Sequence, residues 1–256
     1  MTVNRREFVK LASSSAAAGS LVRFSSGFGT DTHLRAQIKA IALDGFVVFD
    51  PTPVLSLAES LFPGAGAALA SDWRTRQFEY TWLRVSSRHF ADFWQVTQDA
   101  LAFAANKLKL ELTPEKRDRL MNAYLELQTW PDAVPALVAL KKSGFRLAFL
   151  SNFTSAMLDA NLRHSGLAGL FEHALSTDSV KTYKPDPLAY QLGVDAFRLK
   201  REEILFAAFG GWDAAGAKLF GFPTYWVNRQ RLPMEQLGAI PDGSGETVSE
   251  LEQFLT

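Results

Sequence analysis

Several polar side chains of this sequence stand directly after apolar stretches or at the start of a helical pattern, where α/β enzymes place reacting groups. They are two carboxylates, a lysine and a hydroxyl–amide pair: Asp44, Asp213, Lys184, Ser151 and Asn152. Carboxylate and ammonium groups can exchange protons or balance charge in an active site. A hydroxyl, an amide and backbone N–H groups at a helix start can converge on an anion. These residues are therefore the candidates for chemistry.

Each candidate also has an ordinary structural explanation. An acid after a strand, as at Asp44, often belongs to a turn or caps a helix. Ser151-Asn152 can be a helix N-cap, and Lys184 can be a solvated surface side chain. Asp213 stands at a helix start, where an acid stabilises the helix dipole without any chemistry. The order of all these positions along the chain is stronger evidence than any one of them.

The elements that hold these residues alternate between strands and helices. Residues 38–44 form a short apolar run that ends in an acid, as expected of a buried parallel strand. After Pro131 the pattern predicts helices at 132–143, 155–165, 187–197 and 213–220, and strands at 145–150, 171–176, 204–209 and 224–227. Such alternation predicts an α/β fold, with helices on both faces of a parallel sheet. Ligands bind beyond the carboxyl ends of the strands in that architecture.

Residues 51–130 interrupt this alternation with helical spacings. The spacings are Arg74, Phe78 and Trp82 at i, i+4 and i+8, Phe90, Phe93 and Trp94 at i, i+3 and i+4, and a helix start at Thr113-Pro114 with Glu115-Lys116. An all-helical insert is the simplest interpretation. The chain then divides into a leader at 1–37, a core at 38–50 and 131–256, and the insert at 51–130.

Composition excludes several classes of function. Of 256 residues, 27 are Lys or Arg and 27 are Asp or Glu, so the chain has no excess of positive charge for nucleic acid. Cysteine is absent, which excludes disulfides, thiolate metal sites and a cysteine nucleophile. The histidines, His33, His89, His164 and His173, lack metal-ligand spacing. We therefore expect neither a nucleic-acid partner nor a zinc site.

The first residues resemble a twin-arginine export signal. Arg5-Arg6 is followed by Phe8, Lys10 and a weakly apolar run through Val22, which is too short and too polar to span a bilayer stably. This pattern predicts recognition by the twin-arginine translocase and a periplasmic location. The alternative is a frayed basic terminus. No clear small-residue cleavage site is present, so both removal of the segment and its retention as a membrane anchor stay open.

Over nearly all of 38–229, the sequence resembles the haloacid dehalogenase superfamily and, within it, the type II 2-haloacid dehalogenases. The stretches that carry the resemblance are 38–44, Trp73-Arg74 with 77–84, Leu150-Ser151-Asn152, Tyr183-Lys184-Pro185-Asp186 with Tyr190, 212–217 and 220–224. The resemblance implies a Rossmann-like core and identifies the insert as an all-helical cap domain. It also implies a homodimer built partly on that cap.

The resemblance further implies hydrolysis of small 2-haloalkanoic acids to 2-hydroxy acids, without a metal or other cofactor. Asp44 attacks the halogen-bearing carbon, and water then hydrolyses the resulting ester. Lys184 keeps Asp44 ionised, while Asp213 holds Lys184 and helps to orient the water. The resemblance implies that Ser151 and Asn152 bind the substrate carboxylate and that Tyr190 supports the side of the site that holds Lys184. It also implies that Arg74 binds the departing halide and that Phe46 and Trp212 contact the substrate.

A phosphatase of the same superfamily is the rival enzyme. Such phosphatases carry a second acid two residues after the nucleophile and an acidic magnesium ligand four residues before the Asp213 position. This sequence has Phe46 and Phe209 there. Both replacements argue against phosphoryl transfer and against a bound magnesium ion.

Three replacements separate this sequence from the usual dehalogenase pattern. The loop after Asp44 is one residue shorter, and Val48 stands where a hydroxyl is usual. Ala208 and Gly210 stand where a serine and an asparagine are usual. We therefore expect slow turnover. The alternative is a degenerate binding protein that keeps the anion pocket without efficient chemistry, and the preferred halogen, chain length and enantiomer stay open.

Overall fold

A parallel sheet of six strands forms the centre of the computed structural model, which describes residues 32–256. The strands are Ala40–Leu43 (β1), Phe49–Asp50 (β2), Gln128–Thr129 (β3), Arg146–Ser151 (β4), His173–Ser176 (β5), Ile204–Ala208 (β6), Thr224–Val227 (β7) and Gly243–Gly245 (β8). The large sheet has the order β5-β4-β1-β6-β7-β8, and its neighbouring strands are all parallel. The chain thus moves outward from β1 first in one direction and then in the other.

Strand β1 is central, and its residues are buried on both faces. Leu43 pairs with Phe149 of β4 on one side and with Ala207 of β6 on the other. A short run of apolar residues suits this place because side chains of other elements cover both faces of the strand. The residue after β1 therefore emerges between the ends of β4 and β6, where the strand order reverses.

Helices cover both faces of the sheet, as the alternating pattern predicts. Outside the insert they are Thr32–Gln37 (α1), Gly45–Val48 (α2), Ala133–Lys142 (α7), Ser155–Ser165 (α8), Pro187–Phe197 (α9), Gly211–Phe220 (α10) and Val248–Leu255 (α11). Ile41 and Leu43 join the apolar cluster beneath α7, α8 and α11. Ala40 and Ala42, which alternate with them, join the cluster beneath α9 and α10. The predicted α/β fold is confirmed.

The insert contains four α-helices, Thr52–Leu61 (α3), Gly66–Ser87 (α4), Phe93–Lys107 (α5) and Pro114–Asn122 (α6), and a short 3-10 helix at Ala123–Leu125. Thr113 caps α6 as predicted, because its side chain accepts a hydrogen bond from the Lys116 N–H. The predicted periodicity is wrong at Phe90. Asp92 caps α5 through a bond from the Gln95 N–H, so Phe90 lies before the helix.

The two ends of the insert are joined by a short antiparallel pair of strands. Phe49–Asp50 pairs with Gln128–Thr129, and the Trp130 N–H donates to the Val48 carbonyl. This pair corrects the expectation of an all-helical insert at its boundary. Strands of two residues are too short to show a hydrophobic period, which explains why the pattern misses them.

Arg229 ties the same region to the core. Its guanidinium donates to both carboxylate oxygens of Asp132, at 2.8 and 3.1 Å, and to the Val47 carbonyl at 3.1 Å. It also lies 4.4 Å from the centre of the Trp130 ring. The Arg229 side chain thus holds together helix α2, the end of the insert and the end of β7.

Besides the short strand pair, the sequence does not predict the core elements α1, α2, β8 and α11. Helix α1 lies in the segment assigned to the leader, and the export pattern itself, at residues 5–22, lies outside the described residues. Helix α11 has a readable signal, since Thr247 and Glu250 bind each other's backbone N–H groups in a capping box. Among residues 32–256, no helix has the length and apolar character needed to cross a membrane.

Asn161 is a buried polar residue of α8 that binds the chain near the end of the insert. Its Oδ1 accepts a hydrogen bond from the Leu127 N–H at 2.8 Å. Its Nδ2 donates to the Tyr124 carbonyl at 2.8 Å and to the Met157 carbonyl at 2.9 Å. The insert therefore depends on one core side chain for two of its backbone hydrogen bonds.

We expect Asn161→Ala to lower the free energy of unfolding by about 2–4 kcal/mol, because two buried backbone groups lose their partner at about 1–3 kcal/mol each. Urea unfolding followed by circular dichroism measures the change. The matched control is Asn106→Ala, at an exposed position of α5, which should alter the free energy by less than about 0.5 kcal/mol. Equal effects of the two substitutions would contradict this role for Asn161.

Candidate active site

The candidate residues that follow the strands meet at one edge of the sheet. Asp44 follows β1 directly, Ser151 ends β4, and Asp213 lies in the first turn of α10, just after β6. The carboxyl ends of parallel strands lie on the same side, so these side chains approach one another. Lys184 reaches them from the loop before α9.

Lys184 is the centre of the site and only 1% of its surface is exposed. Its Nζ lies 2.7 Å from Asp44 Oδ1 and 2.6 Å from Asp213 Oδ2. Its backbone N–H donates to Asn152 Oδ1 at 3.1 Å, and its peptide bond to Pro185 is cis. This geometry excludes the solvated surface lysine that the sequence leaves open.

Opposing effects set the protonation of the buried charges. Burial lowers the pKa of Lys184, but the charges of Asp213 and Asp44 outweigh it, and the net pKa lies above the usual lysine value. Burial also raises the pKa of Asp213 to about 6, against the opposing effect of Lys184. Near neutral pH, Lys184 is therefore an ammonium group and Asp213 is a carboxylate.

Tyr190 holds the second oxygen of Asp213. Its hydroxyl donates to Asp213 Oδ1 at 2.7 Å, and burial raises the pKa of the phenol, which keeps its proton. This approach requires glycine at position 216, because a Cβ on Gly216 would lie 2.6 Å from the Tyr190 hydroxyl oxygen. Tyr190 thus supports the lysine side of the site through Asp213, which in turn binds Lys184.

Asp44 is held through both carboxylate oxygens. Oδ1 binds Lys184 Nζ, and Oδ2 accepts a hydrogen bond from the Phe46 N–H at 3.0 Å. Asp44 therefore caps the short helix α2, which is the ordinary structural role that the sequence also allows. The same carboxylate also forms an ion pair and borders a cavity, which a cap does not require.

Ser151 and Asn152 contribute different groups. Ser151 Oγ accepts a hydrogen bond from the Phe153 N–H at 3.1 Å. Asn152 Nδ2 is buried and has no hydrogen-bond partner among residues 32–256. Buried polar groups are almost always paired, so this donor suits an anionic ligand. The N-cap alternative for these two residues is wrong, because Thr154 caps α8.

A cavity of about 20 Å³ lies against these groups. It is lined by Asp44, Phe46, Arg74, Phe78, Phe93, Ser151, Asn152, Phe153, Phe209, Gly210, Trp212 and Asp213. The Phe46 ring lies 4.9 Å from that of Phe153 and 5.8 Å from that of Phe209. This volume holds about one water-sized group. Phe46 and Phe209, at the positions where phosphatases carry acids, make that part of the wall apolar.

Arg74 reaches the cavity from α4 of the insert. Its guanidinium lies 5.8 Å from the centre of the Phe209 ring, and Nη2 donates to Gln230 Oε1 at 3.4 Å. Within the described chain it forms no salt bridge with a carboxylate. Burial lowers its pKa, although a guanidinium group remains charged at neutral pH. A cation at the edge of this cavity, without a carboxylate partner among residues 32–256, is suited to bind an anion.

The three replaced positions lie in different environments. Gly210 lines the cavity with an ordinary φ of −88°, but a Cβ there would lie 2.8 Å from Trp212 Nε1. Val48 and Ala208 are fully buried in the apolar clusters on opposite faces of the sheet, outside the cavity wall. Of the three replacements, only Gly210 borders the cavity, so the expectation of slow turnover depends on Gly210 more than on Val48 or Ala208. Side chains alternate along a strand, which turns Ala208 towards α9 and α10.

Sequence reasoning assigns no role in the site to three aromatic residues of the wall, Phe78, Phe93 and Phe153. Two of them have a usable signal, since Phe78 lies one helical turn after Arg74 and Phe153 directly follows Asn152. Phe93 has none, because its position depends on how α5 packs against the core.

Comparison with known proteins agrees with this geometry. Residues 47–221 match the family described as haloacid dehalogenase-like hydrolase. The (S)-2-haloacid dehalogenase of Pseudomonas sp. (strain YL) is 42% identical over 206 residues, which are 80% of this chain and 89% of that protein.

Solved structures give the same result. The L-2-haloacid dehalogenase RSc1362 has a TM-score of 0.84 and 40% sequence identity, and the match covers 86% of this chain and 99% of that chain. The L-2-haloacid dehalogenase from Xanthobacter autotrophicus with chloropropionic acid covalently bound has a TM-score of 0.77 and 31% identity, covering 85% of this chain and 98% of that chain. This chain belongs to the haloacid dehalogenase-like hydrolases and, within them, to the 2-haloacid dehalogenases.

Proposed function

We propose that this protein hydrolyses 2-haloalkanoic acids and releases a 2-hydroxy acid and a halide ion. The placement of Asp44 carries the proposal: its carboxylate pairs with a buried lysine at 2.7 Å and borders a small, largely apolar cavity. A carboxylate held in this way can act as a nucleophile without competition from bulk water. The relatives described above are named as 2-haloacid dehalogenases, which supports the proposal.

In the first step, an oxygen of Asp44 attacks C2 of the substrate. A carbon–oxygen bond forms, the carbon–halogen bond breaks, and its electron pair leaves with the halide. Lys184 stabilises the negative charge of the attacking carboxylate. The chloropropionic acid bound covalently to the relative from Xanthobacter autotrophicus is consistent with such an ester.

In the second step, water attacks the carbonyl carbon of the Asp44 ester. The 2-hydroxy acid leaves, the Asp44 carboxylate is restored, and one proton is released. Asp213 borders the cavity and is held through both oxygens, by Lys184 and by Tyr190, so it is placed to orient the water.

The remaining polar groups bind two anions, the carboxylate of the substrate and the departing halide. The Nδ2 of Asn152 and the hydroxyl of Ser151 bind the substrate carboxylate. Arg74 receives the departing halide on the insert side of the cavity. Phe46 and Trp212 pack against the carbon atoms of the substrate.

Slow turnover belongs to the proposal, because Gly210 leaves the wall without the amide that the family usually places there. A hydrogen bond to a charged group contributes about 1.5–3 kcal/mol, so its absence from the transition state lowers the rate roughly tenfold to a hundredfold. A degenerate binding protein would keep the same contacts without turnover. A phosphatase fits the site less well, because Phe46 and Phe209 border the cavity. Assembly as a homodimer through the insert stays a prediction.

We expect the oxygen of hydrolytic water to enter Asp44 before it enters the product, because water attacks the ester carbonyl. A single turnover of 2-chloropropionate in 18O-water, with enzyme in excess, followed by peptide mass spectrometry, locates the label. Asp50 lies in the same peptide and serves as the internal control, which should remain unlabelled. Label found directly in the hydroxy acid, with Asp44 unlabelled, would rule out the ester.

The raised pKa of Asp213 predicts that activity falls at low pH, which gives the pH profile an acid limb. Because its pKa is raised to about 6, the Asp213 carboxylate gains a proton as the pH falls through 6. The negative charge that pairs with Lys184 is then lost. We expect kcat/KM for 2-chloropropionate to fall about tenfold per pH unit below this point. Halide release measured across the range from about pH 4.5 to 8 shows the limb.

Asp178 provides the matched control for this titration. Burial raises its pKa to about 6 as well, but it does not line the cavity that contains Asp44. The Asp178→Asn variant should therefore keep the acid limb. Disappearance of the limb in this variant, or its absence from the wild-type protein, would show that Asp213 does not control the activity.

We propose in addition that the protein is exported to the periplasm by the twin-arginine translocase. The support is the Arg5-Arg6 pair before a weakly apolar run, in residues outside the described part of the chain. In cell fractionation, an Arg5→Lys, Arg6→Lys double variant should remain in the cytoplasm, whereas Arg23→Lys should be exported like the wild type. Normal export of the double variant would refute this targeting.

A further inference from the structure

A second, larger depression adjoins the cavity that contains Asp44. We call it the outer groove, and its volume is about 940 Å³. It is lined by α3 and α4 of the insert together with Trp212, Gln230 and Leu232 of the core. Arg74, Phe78 and Trp212 line both the outer groove and the inner cavity. These three side chains therefore separate the two spaces.

The inner cavity is too small for a complete substrate. At about 20 Å³ it holds roughly one water-sized group, whereas even the shortest 2-haloacid has a carboxylate, a halogen and a carbon between them. A substrate can therefore reach Asp44 only if lining side chains shift. Movement of Arg74, Phe78 or Trp212 joins the cavity to the outer groove, so any substituent on C2 has a path into the groove.

Most of the surface that lines the groove is apolar, and Arg74 places a cation at its inner end. Leu55, Trp82 and Leu232 line it and are 46%, 39% and 51% exposed, and exposed apolar side chains that lie together in one groove are typical of a binding site. Arg74 supplies the positive charge where the groove meets the cavity. This combination fits a 2-haloacid whose halogen lies next to Arg74 and whose apolar chain extends along the groove.

The acidic residues of the groove are already engaged. Glu59 accepts hydrogen bonds from the Gly64 and Ala67 N–H groups, at 2.6 and 3.2 Å. Glu79 forms a salt bridge with Arg76 at 2.9 Å. These carboxylates bind protein groups at the rim and so do not make the groove a cation site.

We propose that the outer groove binds the alkyl chain of the substrate and that the enzyme favours 2-haloalkanoic acids whose chain extends several carbons beyond C2. The inference rests on the proposed dehalogenation at Asp44. Once the lining side chains shift, the carboxylate and halogen lie against the polar groups of the inner cavity. The chain then passes Phe78 and Trp212 to lie against Leu55 and Leu232. Each added methylene leaves water and contacts the apolar wall.

The test is the dependence of activity on chain length. Bromide release gives kcat/KM for 2-bromopropionate, 2-bromobutyrate, 2-bromohexanoate and 2-bromooctanoate. A fully buried methylene is worth about fourfold in kcat/KM, and the groove is open on one side, so we expect a rise of about twofold to fourfold per methylene. A flat or falling series would overturn the proposal.

A pair of double variants shows whether the groove causes the rise. Leu55→Asn with Leu232→Asn places polar amides in the groove and should reduce the rise to less than about 1.5-fold per methylene. The matched control is Leu83→Asn with Leu219→Asn, at positions that are 58% and 68% exposed and lie outside the groove. The control should keep the wild-type rise. Because each rise is a ratio within one protein, it does not depend on that protein's absolute activity.

The outcomes separate the two proposals. No bromide release from any member of the series, 2-bromopropionate included, contradicts dehalogenation itself. Normal release with no dependence on chain length contradicts only the role of the groove. If a second copy of the chain covers the groove, the Leu55, Leu232 double variant lowers the mass in solution and leaves the chain-length series unchanged, which also overturns the proposal.

Discussion

Lys184 carries its charge inside the protein, and the arrangement of the site follows from that burial. An ammonium group removed from water is unfavourable unless opposite charges and hydrogen bonds surround it. Asp44 and Asp213 supply the charges, and their other oxygens are held by the Phe46 N–H and the Tyr190 hydroxyl. Loss of one partner from such a buried group costs about 3–5 kcal/mol. The carboxylates proposed to carry the chemistry are thus also needed to keep the lysine buried.

The core and the insert make different contributions to the same site. The core supplies Asp44 and Asp213 from the ends of β1 and β6, which lie side by side at the reversal of strand order, and Lys184 from the loop before α9. The insert supplies Arg74 and Phe78 from α4 and Phe93 from α5, which complete the wall. A carboxylate at a sheet edge alone would face bulk water. The helices over that edge restrict it to a space in which a small substrate excludes the solvent.

Most of the core can be predicted from the sequence because its signals are local. Helix Pro187–Phe197 begins and ends where the pattern places it, since a proline starts it and an apolar period runs through it. Strand β8 cannot be predicted, because its three residues include no strand-forming side chain. The places of Asp44 and Asp213 follow from the strand ends. The Nδ2 of Asn152, which has no partner among residues 32–256, and the contribution of Phe93 depend on contacts between distant segments, which no local pattern records.

The insert leaves and re-enters the core at nearly the same place. Phe49–Asp50 and Gln128–Thr129 pair there, and Arg229, just after β7, binds Val47 and Asp132 on either side of this strand pair. A segment whose two ends are adjacent can be lengthened, shortened or exchanged while the sheet below keeps its hydrogen bonds. The core that carries the charge cluster can therefore stay constant while the insert is exchanged. In such an architecture, changes in the insert can alter the substrate that is bound while Asp44, Lys184 and Asp213 keep their positions.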